Sequence, residues 1–195
     1  MASIFVTPEV SAKEDAINGK ISRLQGKLFG IPMIKFSVAS MKKVLVPYRC
    51  FVFDFKLSGR NAKWLRLNKK GCVGIIFDLN EVHSFEYDYA DMGDLALEKI
   101  ETSENDIHMI KPHCSEEEAK EFAILYVQNR ILKRIYRSTG ELVPVKDVHF
   151  YRPAWQLEIR YKGKQITNMR YAYLDAYGIE NEHILGLKVR LDESL

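Results

Sequence analysis

Residues 44–59 read VLVPYRCFVFDFKLSG, and this segment decides what kind of fold the chain can adopt. Phe51, Phe53 and Phe55 alternate with a valine, an aspartate and a lysine. A two-residue period is typical of a strand that buries one face and leaves the other face in water. The segment therefore predicts an antiparallel sheet with a phenylalanine-rich core face.

A second segment, YRPAWQLEIRYKG at residues 151–163, has the same pattern. Trp155, Leu157 and Ile159 point one way, and the polar residues between them point the other way. Pro47 and Pro153 stand at equivalent places in the two segments. Because a missing amide is tolerated at the start of a strand, we expect each strand to begin near its proline.

Two other segments, 4–14 and 108–118, match at a constant offset. Each is a short apolar run, a proline and then Ser-x-x-Glu, which is the capping box at the start of a helix. Ser11 and Ser115 are the predicted caps. Apolar residues at helical spacing follow each cap. They are Ile17, Ile21, Leu24 and Leu28 in the first copy, and Ile124, Val127, Ile131 and Ile135 in the second.

The two copies together predict an α+β fold of two related halves, each with a helix packed on an antiparallel sheet. Further strands are expected at 73–78, 82–87 and 170–178, with an aspartate closing an apolar strand before a turn in each half. The predicted organisation is an N-terminal repeat (1–88), an acidic connector (89–106) and a C-terminal repeat (107–195). A short helix is expected within the connector, from Met92 to Ile100.

Residues 153–178, PAWQLEIRYKGKQITNMRYAYLDAYG, resemble a PepSY domain. The resemblance lies in an aromatic-x-apolar-x-apolar strand, a glycine turn, and a strand that ends in Leu-Asp-Ala-x-x-Gly. The residues that carry it are Trp155, Leu157, Ile159, Gly163, Tyr173, Leu174, Asp175, Ala176 and Gly178. The resemblance implies a cystatin/PepSY-like arrangement and a non-catalytic module that binds or restrains another protein.

The composition excludes several classes of protein. Of 195 residues, 47% are hydrophobic and 28% are charged, which is enough apolar side chain for a folded core. No apolar run approaches the roughly 20 residues that a membrane-spanning helix needs. The N-terminal residues lack the features of a secretory signal, and Cys50, Cys72 and Cys114 are too few and too scattered for a disulfide framework. We therefore expect a cytoplasmic protein.

The charge is segregated along the chain, although the net charge is only +3. Residues 1–75 have 14 basic and 4 acidic residues, and residues 76–121 have 3 basic and 14 acidic residues. The acidic segment could fold near the basic one and cancel its field. Alternatively, the basic segment could stay open to a polyanion such as nucleic acid.

Four residues near the C-terminus are the candidate ligand-binding residues: Trp155, Tyr173, Asp175 and His183. Aromatic rings can stack on a ligand, and a carboxylate near a histidine can act as an acid–base pair. The alternatives are that the aromatic residues belong to the core and that the polar residues form a turn. The sequence shows no catalytic, cofactor-binding or metal-binding motif, so neither catalytic residues nor a metal or cofactor is predicted.

These observations favour a non-enzymatic binding or regulatory module that acts on a protein partner or a small ligand. An enzyme or ligand carrier with a cavity between helix and sheet is the second hypothesis. Binding of nucleic acid by the basic N-terminal half is the third and is less favoured, because the phenylalanine face of 51–55 is expected to be buried. A homodimer through a sheet edge is a further form that the interaction could take.

Overall fold

A computed structural model describes residues 2–9, 17–19, 21–22, 27–28, 31–32, 36–58, 70–87, 89–102, 108–161 and 167–175. The chain divides into two compact units, each assembled from three stretches of sequence. Unit 1 comprises Met1–Val46, Ala96–Ile110 and Tyr151–His183. Unit 2 comprises Pro47–Leu95, Lys111–Phe150 and Ile184–Leu195.

Strands dominate the described residues. In chain order they are β1 (Ala2–Val6), β2 (Lys27–Leu28), β3 (Ile31–Pro32), β4 (Phe36–Ser58), β5 (Lys70–Asp78), β6 (His83–Tyr87), β7 (Glu98–Thr102), β8 (His108–Met109), β9 (Thr139–Tyr161) and β10 (Thr167–Tyr173). Residues 17–19 and 21–22 are helical. The α-helices whose bounds the described residues define are α1 (Tyr89–Met92) and α2 (Glu116–Tyr126), and a π-helical stretch, Val127–Lys133, continues α2.

Unit 2 contains the part of β4 that carries Phe51, Phe53 and Phe55. The second part of β4 pairs antiparallel with β5, and β5 pairs antiparallel with β6. The alternating residues of β4 and β5 form one face of this sheet, and α2 with its π-helical continuation packs on that face. The buried cluster contains Phe51, Phe53, Phe55, Leu57, Ile75 and Phe77 from the strands, Leu79 from the turn after β5, and Ala119, Ala123, Val127, Ile131 and Leu132 from the helical run.

The helix begins as the sequence predicts. Ser115 is the N-cap, its side chain accepts from the Glu118 amide, and the Glu118 side chain accepts from the Ser115 amide. The predicted buried stripe is only partly correct, because Val127 and Ile131 are buried but Ile135 is 59% exposed. The buried stripe begins instead at Ala119 and Ala123. Small side chains there let the helix approach the bulky phenylalanines closely.

Unit 1 is a mixed arrangement of strands. β1 pairs antiparallel with β7 and, through Val6 and Tyr151, parallel with β9. β10 pairs antiparallel with β9, and β8 pairs parallel with β4. β4 and β9 are hydrogen-bonded neighbours, and Ser40 donates to Glu158 between them in this unit.

The strands β4 and β9 are each 23 residues long, so Pro47 and Pro153 lie inside a strand and not near its start. β4 pairs with β8 before Pro47 and with β5 after it. β9 pairs with β1 at Tyr151 and with β10 from Ala154 onward. A proline cannot donate to the ladder, and in both strands it stands where the pairing partner changes.

The predicted fold class, two α+β halves each with a helix on its own antiparallel sheet, is wrong. The structure is mostly β, the sheet is mixed, and the described residues contain one helical run of 18 residues. That helix packs on β4 and β5, which come from the other predicted half. Within unit 1, Ile17 packs against a cluster of Leu157, Ile159 and Ala172.

The predicted cap Ser11 lies outside the described residues. Of the helix predicted to follow it, residues 17–19 and 21–22 are described and helical. Leu28, predicted to be in this helix, is in β2. The predicted helix from Met92 to Ile100 is also wrong, since residues 98–102 form β7. The boundaries 1–88, 89–106 and 107–195 stay a prediction. Among the described residues, no helix is long and apolar enough to span a membrane.

We predict that Gly74→Ala destabilises the protein. A Cβ at this position would lie 2.7 Å from Cδ1 of the Tyr87 ring and 2.9 Å from the Tyr87 carbonyl oxygen on the neighbouring strand. We expect the free energy of unfolding, measured by urea denaturation, to fall by about 1–3 kcal/mol because the core must shift to admit the methyl group.

Gly19→Ala is the matched control, because a Cβ at Gly19 meets nothing within 4 Å and the residue is helical. This variant should be neutral or more stable by up to about 1 kcal/mol. Equal losses of stability in the two variants would contradict the packing described for β5 and β6.

Candidate functional site

The most buried charges of unit 1 form a bidentate ion pair. Arg152 Nε donates to Asp175 Oδ2 at 2.7 Å, and Arg152 Nη2 donates to Asp175 Oδ1 at 2.8 Å. Both side chains have zero exposure to solvent. Parallel bonds of this kind are the strongest arrangement available to a guanidinium and a carboxylate.

Two further residues complete this group, which we call the Arg152 cluster (Thr7, Arg152, Tyr173 and Asp175). The Thr7 hydroxyl donates to Asp175 Oδ2 at 2.7 Å, and the guanidinium carbon of Arg152 lies 3.9 Å from the centroid of the Tyr173 ring. The carboxylate therefore accepts from two residues, and the cation is covered by an aromatic face. Each charge is compensated within the protein, which suits a group that holds strands together.

The structure brings together two of the four predicted ligand-binding residues, Tyr173 and Asp175. Trp155 is half-buried and pairs across the strands with Ala172, whereas Tyr173 pairs with Ala154, so the two rings lie on opposite faces of the sheet. Trp155 packs against the Leu157 cluster. His183 lies outside the described residues. The ligand-binding role of these residues stays a prediction.

Arg152 and Thr7 are not predicted as functional residues from the sequence. In the alternating pattern of β9, Arg152 lies on the same face as Gln156. The sequence predicts that this face is exposed, so Arg152 is expected to be exposed as well. Its burial follows from contacts with Asp175 and with Tyr173, and Asp175 is also bound by Thr7, 168 residues away in sequence. No local pattern signals such a partnership.

A second charged group lies in unit 2 where α2 begins. Arg49 contacts Glu116 Oε2 at 2.6 Å through Nη1, and its Nη2 donates to Asp147 Oδ2 at 3.1 Å. Hydrogen bonding to Asp147 raises the pKa of Arg49, and the Arg49 guanidinium lowers the pKa of Glu116. This group fixes the first turn of the helix to β4 and β9. In the neighbouring His149, burial of the side chain lowers the pKa.

Asp78 ends β5 as a structural residue. Its carboxylate accepts from the Tyr48 hydroxyl at 2.6 Å and from the backbone amides of Asn80 and Glu81 at 2.8 and 2.9 Å. These bonds form the turn between β5 and β6, as the sequence predicts for an aspartate that closes an apolar strand. With this carboxylate saturated by protein donors, Asp78 is a poor candidate for chemistry.

An open groove in unit 2 is the candidate functional site. It lies between β6 and the end of the helical run and has a volume of about 370 Å³. We call it the β6 groove. Its lining residues are His83, Ser84, Glu86, Tyr126, Arg130, Arg134 and Ile135.

The β6 groove combines a strand edge with neutral hydroxyl groups and with positively charged arginine side chains. The Tyr126 hydroxyl lies 3.4 Å from Glu86 Oε1, and burial followed by the charge of Glu86 raises the pKa of this tyrosine. Arg130 and Arg134 are exposed and four residues apart, so they lie on one side of the helical run. This spacing is visible in the sequence, but the sequence does not show which strand the arginines face.

Among the described residues, the cysteines and histidines do not form an evident reactive site. Cys50, Cys72 and Cys114 are free thiols, and burial raises the pKa of Cys50 to about 12, so this thiol is protonated at neutral pH. In the part of the chain that the structure describes, no group of three or more His, Cys, Asp or Glu side chains is placed to hold a metal ion.

Comparisons with protein-family models, with curated proteins and with solved structures find no match for this chain. The PepSY resemblance therefore stays a prediction.

We predict that Arg152→Met destabilises the protein by about 3–5 kcal/mol, because it leaves the Asp175 carboxylate buried without its cation. The double variant Arg152→Met/Asp175→Leu should recover most of that loss, since it removes both charges. Both values come from urea denaturation at neutral pH. If the double variant is as unstable as the single variant, the ion pair itself stabilises the fold, and the unpaired carboxylate is not the cause of the loss.

The exposed pair of Arg160 and Glu158 is the matched control in the same strand, with an Arg160 side chain that is 64% exposed. Arg160→Met should change the free energy of unfolding by about 0.5 kcal/mol or less, because surface ion pairs are screened by water.

We predict that His149 makes stability depend on pH. Burial lowers its pKa in the folded state, so below the ordinary value of 6.5 the unfolded chain binds a proton that the folded protein does not. Stability should therefore decline as the pH falls below about 6.5. His149→Gln should reduce this decline, and the same change at the exposed His108 serves as control. Identical pH profiles for wild type and His149→Gln would contradict the prediction.

Proposed function

We propose that the protein is a non-enzymatic binding module and that its partner protein docks at the β6 groove. The observation that carries the proposal is the contrast between two sets of polar groups. The buried groups at Asp78 and Asp175 are satisfied by donors within the protein. The groups of the β6 groove face solvent beside a strand edge, where a partner can reach them.

Exposed apolar side chains near the groove support the proposal. Phe122, Leu125 and Ile135 are 46%, 50% and 59% exposed on or just after the helical run. Large apolar groups on the outer face of a helix are groups that a docking partner would cover, and in this way they support the proposal.

The interior of unit 2 does not favour the second hypothesis, an enzyme or carrier with a cavity between helix and sheet. Phe51, Phe77 and Val127 meet at that interface, and each is at most 1% exposed. This interface is filled by side chains of the protein itself. A cytoplasmic location is part of the proposal, and the three free thiols support it because they suit a reducing compartment.

The test is site-specific photo-crosslinking in extract from the native cell. Ser84→p-benzoylphenylalanine places the crosslinker in the β6 groove, and the same substitution at the exposed Ser3 of unit 1 is the control. We expect one discrete adduct from position 84 and none from position 3. Adducts of equal intensity at both positions, or none at position 84, would refute the proposal.

A second substitution tests whether the adduct reflects docking. Ile135→Ser should reduce crosslinking from position 84, because Ile135 lines the groove. Val143→Ser is the matched control, with an exposure of 53% on β9 outside the groove. An adduct with twice the mass of the chain would identify the partner as a second copy.

A further inference from the structure

We propose that the β6 groove binds an extended peptide that carries one phosphorylated side chain. This inference rests on the proposed function and names the chemistry of the partner. Three features support it: a strand edge, two arginines beside it, and the distribution of acidic residues around them.

The strand edge accounts for an extended peptide. Among the described strands, β6 pairs only with β5, so its other side presents backbone donors and acceptors without a ladder partner. A peptide in the β conformation can satisfy these groups by adding one more strand. The site then recognises the backbone of any extended segment, and the side chains of the groove must supply selectivity.

Cross-strand pairing shows which side chains of β6 face the groove. Glu86 pairs with Ile75, and Ser84 pairs with Phe77. Ile75 and Phe77 belong to the cluster beneath the helix, so Ser84 and Glu86 share that face. A peptide added to β6 would place alternate side chains on the same face, toward the helical run.

The arginines account for an anion on such a side chain. Arg130 and Arg134 line the groove and are exposed, and neither takes part in an ion pair among the described residues. Lys133, between them, instead donates to Asn129 on the same helix. Two guanidinium groups on one side of a helix can bind a phosphate through bidentate hydrogen bonds.

Glu86 favours a phosphate over a carboxylate. Glu86 lines the same groove as the two arginines, so an anionic ligand must bind the arginines strongly enough to outweigh repulsion by this carboxylate. A phosphorylated side chain carries about −1.5 to −2 charges at pH 7 and more acceptor oxygens. The Ser84 hydroxyl lines the groove and can donate to those oxygens, whereas the Tyr126 hydroxyl already donates to Glu86.

The surrounding charges favour a single anionic group over a polyanion. Glu116, Glu117 and Glu118 form the first turn of the same helix, and Glu81 precedes β6. A nucleic acid strand that continued along the helix toward its first turn would meet these carboxylates, of which Glu116 is paired with Arg49. This end of the helix thus favours a ligand with one localised negative charge over a polyanion that extends toward it.

The test uses immobilised pools of nonapeptides with phosphoserine, phosphothreonine or phosphotyrosine at the centre and degenerate residues elsewhere. The unphosphorylated pools are the matched controls. We expect at least one phosphorylated pool to retain the full chain about tenfold more strongly than its control, the effect of a charge-assisted bond pair. If no phosphorylated pool exceeds its control, the inference is wrong.

Variants locate the binding. Arg130→Ala/Arg134→Ala should weaken retention on the preferred pool by about tenfold or more, whereas Lys120→Ala/Lys133→Ala, which removes the same charge from this helix, should change it less than about twofold. Glu86→Gln should tighten retention by about threefold, because it removes the opposing carboxylate. A gain of binding cannot result from misfolding.

Competition distinguishes the sources of phosphate. Inorganic phosphate should compete only weakly, since it lacks the backbone that pairs with β6. Equal competition by free phosphate, or arginine-dependent retention of a single-stranded oligonucleotide, would overturn the inference. Crosslinking from position 84 without preference for any phosphorylated pool would leave the binding module intact and remove only its proposed selectivity. If position 84 gives no adduct and no phosphorylated pool exceeds its control, both proposals are wrong.

Discussion

The missing amide of proline is the constraint on which the architecture depends. β4 and β9 are long enough to run through both compact units, and each contains a proline where its pairing partner changes. Because proline interrupts the ladder, the residues on either side can pair with different strands. The Pro47 and Pro153 carbonyls still accept from Leu79 and Leu174, so the oxygen at each interruption is satisfied. One chain can thus form two units without ending either strand.

The close fit between helix and sheet in unit 2 has a consequence at the surface. Ala119 and Ala123 let the helix lie near the phenylalanines of β4, and this choice of face leaves larger apolar residues on the outside. Phe122 is partly used, since its ring stacks on Phe77 at 6.0 Å between centroids. Leu125 and Ile135 are each at least half exposed, and Ile135 lines the β6 groove, the surface at which we propose that a partner docks.

The protein uses its arginines in two different ways. Arg152 and Arg49 hold carboxylates from distant parts of the chain, and their charges are compensated inside the units. Arg130 and Arg134 stand beside an exposed strand edge. A buried ion pair costs desolvation and is kept where it fixes an arrangement, whereas an exposed guanidinium keeps its capacity to bind an anion.

The sequence alone determined the features that depend on near neighbours. The alternation of residues 51–55 predicted a strand with buried phenylalanines, although Val52 on its other face is buried as well. Ser115 and Glu118 predicted the helix start, and Asp78 predicted a turn. The tertiary structure decided which strands the helix covers, why Arg152 is buried, and that the acidic residues 98–102 form a strand against β1. Local patterns report period and capping, because those act within a few residues. Partner choice depends on contacts between segments that are distant in sequence, and no local pattern encodes it.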